Sequence, residues 1–397
     1  MFGSRLNPTK PAAAHRAALE RVGFACREIR ALHESAVLPE SAAQLHRVFA
    51  KNGLFGIGIA AEYGGVDVHP LLSALVHERI GREGTKYVSW FLWNHGIAVA
   101  QVNRFGQAAL KRQLLSQLAT GEHAAIFASR LLNFDAPRTG ITIERIADRF
   151  VVHGRDGCTL PPRAAASIVI IGHSKDSQEC TAFLAEAGEP GVRLERNVAV
   201  TDTTWECAAR AEVVFDNYVV KPGKILGNPG DGWRLIASAR SDTRLGQSAG
   251  CLGVLADWLE VLTMLVADRL KAGNWQVERA AIERHVADVA TNLEALRGIV
   301  YAAAELQHEL DRRPMSEHLA AETETLVGEA SHFAGRAMHQ LRSEAESILV
   351  GDCNLLDFFP TRQRPDQQSD WFKEPASYLQ RQIAAYYLGL SPIAMPR

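Results

Sequence analysis

Fourteen histidines and six cysteines are the residue types in this 397-residue chain best able to hold a metal or act as nucleophiles. His332 and His339 fall on one face of a helical run, and His285 lies near Glu283 on another. No HExxH or ExxH set accompanies them, and the spacing reads as solvated or packed imidazoles rather than a metal site. Cys26, Cys158, Cys180, Cys207, Cys251 and Cys353 are scattered, with no CxxC pair. That usage suits a reducing compartment and gives neither a disulfide framework nor a zinc site. Cys158 has no adjacent His to activate it as a nucleophile. Glu374 precedes Pro375 at the head of the last helical run, where a carboxylate favours the helix N-terminus whether or not it takes protons. Trp90, Phe91 and Trp93 form an aromatic group whose plain reading is core packing.

The elements that must position these residues fall into three zones. Residues 1–120 read as helices. AAAHRAALERVGFACREIRAL, SAAQLHRVFAKNGL, LLSALVHERIGREG and QVNRFGQAALKRQLLSQLATGE carry apolar residues at three- and four-residue spacing, with glycine stops. Residues 121–228 change pattern. HAAIFASRL, GITIERI, RFVVHGR, ASIVIIGHS, CTAFLAEA, VRLERNVAV and ARAEVVFDNYVV are short, β-branched-rich runs separated by Gly, Asp, Asn and Pro. They predict an antiparallel sandwich or barrel. No strand alternates with a helix and no GxGxxG occurs, which argues against a Rossmann domain. Residues 229–397 return to helices, and long ones, suited to an antiparallel bundle with an oligomer interface along one face. The fold class expected is α+β multidomain: helices, a central antiparallel β domain, then a long-helix bundle.

Composition narrows the function classes. Hydrophobic residues make up 47% and charged residues 22%, an ordinary globular balance. A formal net charge of −2 gives no sign of a nucleic-acid or acidic-membrane partner. No apolar run approaches the ~18–20 residues of a membrane span. The N-terminal stretch keeps helical period with Glu20 and Glu28 in register, so it reads as the first helix rather than a targeting peptide. A cytoplasmic location is the expectation.

Several local sequences, in order, resemble the acyl-CoA dehydrogenase family. GLFGIGIAAEYGGVDVHPLLSALVHERIGR resembles the approach to the family's Tyr-Gly-Gly turn and the helix after it. RFGQAALKRQLLSQLATGE resembles the helix before its β domain, and VVFDNYVVKPGKILGNPGDGW the strand and loop leaving it. TRLGQSAGCLGVLADWLEVLTMLVADR resembles the first long C-terminal helix. The resemblance spans essentially the whole chain. It implies α,β-dehydrogenation of an acyl thioester, on CoA or a carrier protein, with FAD as hydride acceptor, in a homodimer or homotetramer.

Carried over residue by residue, the resemblance puts Glu374 at the position of the catalytic base, in Lys373-Glu374-Pro375-Ala376-Ser377-Tyr378-Leu379-Gln380-Arg381. Lys373, Pro375 and Ala376 depart from the family's Tyr, Gly and Thr. A second branch of the family places its Glu where Thr243 stands, just before Arg244; Arg244 matches the family's active-site Arg. The flavin-contact motifs depart further. Ala128-Ser129-Arg130-Leu131-Leu132-Asn133-Phe134-Asp135 stands for Thr-Glu-Pro-Gly-x-Gly-Ser-Asp, and Cys158 and Leu160 stand for the Trp and Thr that meet the ring. At the dinucleotide end Arg269 and Gly273 match the family, while Ala272 replaces a Phe and Ala280 a Gln. Val350-Gly351-Asp352-Cys353 stands for the Gly-Gly-x-Gly turn that meets the flavin from a partner subunit. Two other readings follow. One is a flavin-free member using Glu374 for proton abstraction alone, as an isomerase, dehydratase or cyclase. The other is a non-catalytic subunit that completes the site of an active relative. The residues do not specify the acyl group or the electron acceptor.

Overall fold

The computed structural model describes residues 13–34, 42–128, 139–159, 166–175, 177, 179–196, 210–272, 279–349 and 376–389. Six α-helices come first: α1 (Ala13–Glu34), α2 (Ala42–Lys51), α3 (Pro70–Gly81), α4 (Thr85–Phe91), α5 (Ile97–Phe105) and α6 (Ala108–Thr120). The run QVNRFGQAALKRQLLSQLATGE is two helices rather than one. The chain turns extended at Gly106, and Gln107 caps a fresh start. The stretch 85–105, which hydrophobic spacing did not single out, is nearly continuous helix interrupted by a π turn, Leu92–Gly96.

Eight strands follow: β1 (Ala124–Ala128), β2 (Ile141–Ile146), β3 (Arg149–Thr159), β4 (Ala166–Ser174), β5 (Cys180–Glu186), β6 (Val192–Arg196), β7 (Arg210–Val219) and the short β8 (Ile225–Leu226). They form one sheet in the order β6-β7-β3-β2-β4-β5-β8, with β1 added beside β4. Most neighbours are antiparallel, while β1–β4 and β2–β4 run parallel. Strand periodicity splits β1 between two cores. Ala125 and Phe127 join the large apolar cluster shared with the helices, whereas Ile126 and Ala128 join the β domain's own cluster.

Among the described residues three long helices and a short one follow: α7 (Gly232–Ala272), α8 (Arg279–Arg312), α9 (Glu317–Leu349) and α10 (Ala376–Tyr387). Helix α7 is the axle, packing on α3, α8 and α9. Against α3 the approach is backbone to backbone. A side-chain carbon added at Gly81 would overlap the Gly250 carbonyl, and one at Gly253 would overlap the backbone of Glu78 and Arg82. Helix packing this close admits only glycine, which explains the glycines in an otherwise long helix. The architecture is N-terminal helices, a central β sheet and C-terminal long helices, in the order the sequence predicts. No helix among the described residues is long and apolar enough to cross a membrane.

Candidate active site

Several charged side chains of α7, Arg240, Arg244 and Asp257 among them, are built into the protein rather than left in solvent. Arg244 is only 3% exposed, and its Nη2 donates to Gln382 Oε1 of α10 at 3.0 Å. Gln382 Nε2 in turn donates to Glu324 Oε1 of α9 at 2.5 Å. A cation, an amide and a carboxylate thus tie three helices together, and the amide's two ends fix its orientation. Helix α10 lies on α9, with Leu379 and Ile383 over Gly328. Thr243, the alternative base position, spends its hydroxyl locally, donating to the Ala239 carbonyl at 2.7 Å. Ser248 does the same to the Arg244 carbonyl, also at 2.7 Å.

One turn away lies a second network. Arg104 of α5 donates from Nη1 to Asp242 at 2.5 Å and from Nε to Asp311 at 2.7 Å, with a further bond to Ser238 at 3.0 Å. Gln101 completes Asp242 at 2.9 Å, and Gln307 completes Asp311 at 3.2 Å. Burial disfavours the Arg104 charge, but the two carboxylates outweigh it and hold the guanidinium above its ordinary value. Burial raises the Asp242 carboxyl despite its bond to Arg104. The N-terminal helices, α7 and α8 therefore meet at a half-buried ion cluster, whose Asp242 precedes Arg244 by two residues on α7.

Of the residues matched to the flavin site, the structure brings Ala128 and Cys158 together. Ala128 is fully buried and Cys158 is 8% exposed; both belong to the β domain's inner cluster with Ile126, Ala211 and Val213. Cys158 sits opposite Ala211 on β7. Burial, then the neighbouring Asp156 carboxylate, pushes the Cys158 thiol up to about 12, so it stays protonated and unreactive. Asp156 is itself buried, with Oδ1 accepting from the Gly157 N–H at 2.8 Å. Packed inside that cluster, these small uncharged side chains provide no side-chain hydrogen bond to a flavin's polar edge. Arg269 lies on the last turn of α7. Glu374, Leu160, Gly273 and Gly351 lie outside the described residues.

The aromatic group is core. Trp90 and Phe91 are buried against Phe49, at ring distances of 5.5 Å each. The π turn beside them had no signal in the hydrophobic spacing beyond the polar pair Asn94-His95 inside an apolar run. Its surplus residue frees a carbonyl, and Asn94 Nδ2 donates to the Trp90 oxygen at 3.0 Å. The turn touches both β1 and α7, with Leu92 seated directly over Gly246, so it occupies the junction of all three zones. His95 in this turn is buried among Phe55 and Phe91, and burial drives its imidazole down to about 3. His285 lies 3.5 Å from Glu344 and packs on Trp258. Among the described residues no group of three His, Cys, Asp or Glu side chains is arranged to hold a metal.

Comparisons with known proteins match this architecture to one family. The model for the acyl-CoA dehydrogenase N-terminal domain matches residues 13–122, and that for the acyl-CoA dehydrogenase C-terminal domain matches residues 230–345. The chain is 28% identical to cyclohex-1-ene-1-carbonyl-CoA dehydrogenase of Geobacter metallireducens over 308 residues, covering 74% of this chain and 78% of that one. It is 25% identical to an acyl-CoA dehydrogenase of Bacillus subtilis over 355 residues, covering 87% and 89%. Among solved structures, a glutaryl-coenzyme A dehydrogenase in complex with glutaryl-CoA superposes with a TM-score of 0.74 at 21% identity, over 96% of each chain.

Proposed function

Because this chain belongs to the acyl-CoA dehydrogenase family, we propose that it is an FAD-dependent oxidoreductase that introduces an α,β double bond into an acyl thioester carried on CoA or a carrier protein. The observation that carries this reading is the Arg244–Gln382–Glu324 chain. It fixes α10, the helix that begins two residues after Glu374, against a buried guanidinium on α7. Glu374 is the group that takes the α-proton, and its own backbone N–H is the donor that would bind the thioester oxygen. Arg244 places a fixed, desolvated positive charge near the enolate that forms, where low polarity strengthens its effect. FAD, when bound, supplies the acceptor for the β-hydrogen as hydride. Ala128, Cys158 and Leu160 would wall its ring, while Arg269, Gly273 and Gly351 would hold its dinucleotide end, in part across a homodimer or homotetramer interface. The relatives named above are dehydrogenases of CoA thioesters, which favours CoA over a carrier protein.

An absorbance scan of the purified protein, followed by acyl-thioester-dependent reduction of a dye, tests this directly. Yellow protein is expected, with Glu374→Gln losing about 10²–10⁴-fold in rate. Colourless protein that takes up no added FAD sinks it.

One observation favours a second reading. The wall made by Ala128 and Cys158 offers a flavin no side-chain hydrogen bond, and each such bond is worth roughly 0.5–1.5 kcal/mol. A flavin-free enzyme would use Glu374 only to move protons on a thioester. Solvent deuterium entering the α-position of an acyl-CoA without flavin, and ceasing in Glu374→Gln, is the expected signature. Exchange that persists in that variant removes Glu374 from either reading.

A further inference from the structure

Helix α3 opens with an unusual cap. Its first residue is Pro70, and the N-cap is His69, whose ring Nδ1 accepts the Leu71 N–H at 3.2 Å. Ser, Thr, Asp and Asn normally fill this role because their oxygens accept at any ordinary pH. A backbone amide can only donate, so Nδ1 must be unprotonated and the neutral ring carries its proton on Nε2. That nitrogen is 3.7 Å from Glu305 Oε2 on α8. The ring also stacks on His308 of α8, with centroids 3.9 Å apart and planes inclined by 22°. Asp67 braces the entry loop, accepting from the His69 N–H at 3.2 Å and meeting His15 Nε2 of α1 at 2.7 Å. His15 reaches the cap from a third direction, its ring 6.3 Å from that of His69. One imidazole thus caps α3 and joins it to α1 and α8.

We propose that His69 makes this three-helix junction an acid-sensitive latch, closed while its ring is neutral and released by a single proton. Protonation places a second N–H against the Leu71 N–H, so the cap becomes two opposed donors. It also sets a positive charge at a helix N-terminus, where the backbone dipole already presents positive ends, and stacks that charge on His308. The charged groups facing His69 are His15 from α1, Asp67 from the entry loop, and Glu305 and His308 from α8. Burial, followed by His308, lowers the imidazole from its ordinary value, while Glu305 and Asp67 pull the other way and do not restore it. The sign follows. A histidine depressed in the fold leaves the latch whole above the ordinary value of 6.5 and weakens it as pH falls from there through the folded value.

Hydrogen exchange at the Leu71 amide, corrected for intrinsic rates and followed against pH on the full chain, reads the latch. Protection in the wild type is expected to drop about fivefold, the usual worth of a cap, as pH falls below 6.5. His69→Asn keeps an acceptor that does not titrate in this range, so its protection should be flat. Two α8 variants give opposite shifts. His308→Gln moves the release toward neutral pH, and Glu305→Gln moves it further into acid. Parallel loss of protection in wild type and His69→Asn overturns the proposal, and so does a release point that neither α8 variant moves. These α8 variants also decide the matter if His69→Asn fails to fold.

Discussion

Arg104 and Arg155 each face two carboxylates, yet they belong to different kinds of structure. Arg104 lies in the helical part, its side chain 18% exposed, with Asp242 and Asp311 at hydrogen-bonding distance from two other helices. Arg155 lies on β3, 57% exposed, with Glu212 at 3.2 Å and Glu195 at 3.9 Å along the same sheet. Arg297, Glu78 and Tyr301 form another buried polar link, between α3 and α8, whereas Lys175–Glu144 and Arg193–Asp216 decorate the surface of the β domain. At these sites the helices are tied together by half-buried charge, whereas the strands meet over an apolar interior, with Glu186, His123 and Lys224 as the β domain's own half-buried ion group. Directional groups that could steer chemistry therefore sit on helices, while Ala128 and Cys158, proposed to wall the flavin, lie in the β domain's apolar interior.

The sharpest way to break this contrast is to remove the cation at its centre. Arg104→Ala leaves two carboxylates facing each other with no counter-charge, and about 3–5 kcal/mol of stability should be lost. A denaturant midpoint that hardly moves would mean the cluster is solvated in solution and the contrast superficial.

Acid should separate the two regions next. Burial drives His77 down to about 4 and His95 to about 3, from an ordinary 6.5. The unfolded chain then takes up those protons first, so the helical part weakens as pH falls below 6.5. In the β domain burial raises Glu186 and Glu189, but Glu186's bonds to His123 and Lys224, and Glu189's to Lys221 and Tyr218, hold both below 4.5. Their contribution survives until pH falls below 4.5. Amide exchange at about pH 5.5 should therefore show loosened helices around His77 and His95 beside a β domain as protected as at neutrality. Equal loosening in both would contradict it.

A smaller effect tests the apolar wall. Ala128→Ser offers a flavin one hydroxyl, and FAD retention should rise about two- to tenfold if the ring lies there. Titration of flavin fluorescence would report it, and unchanged affinity would place the ring elsewhere. Smallest of all, Arg155→Ala should change stability by less than ~1 kcal/mol, because the pair is exposed. A larger loss would show that the surface ladder matters after all.

Much of the architecture was legible from spacing alone. Three- and four-residue periodicity marked α1, α3 and the long helices, and β-branched runs marked seven of the strands, because in each case one face is buried and the other is not. Where that rule fails, so does the reading. The stretch around Trp90 to Val102 is buried on most sides and shows no stripe, so α4, the π turn and the first half of α5 were not singled out. The parallel pairing of β1 with β4 is a long-range choice that no local pattern carries. Arg244 was singled out through its motif, a role that remains a proposal, whereas its hydrogen-bond partner Gln382 was not, since an amide half-buried on a short helix looks like any surface glutamine. The same holds for Asp242 and Asp311, which join Arg104 across 138 and 207 residues of sequence. What the site needs is pairing between distant elements, and pairing leaves no local trace.

The π turn at Leu92–Gly96 governs more than its own five residues. Each residue of an α-helix turns the chain by about 100°. Deleting one residue there would regularise the rod and swing Gln101 and Arg104 through roughly that angle, away from Asp242 and Asp311. The irregularity works as an angular offset, and a one-residue deletion within it would undo the ion cluster without touching any member of it.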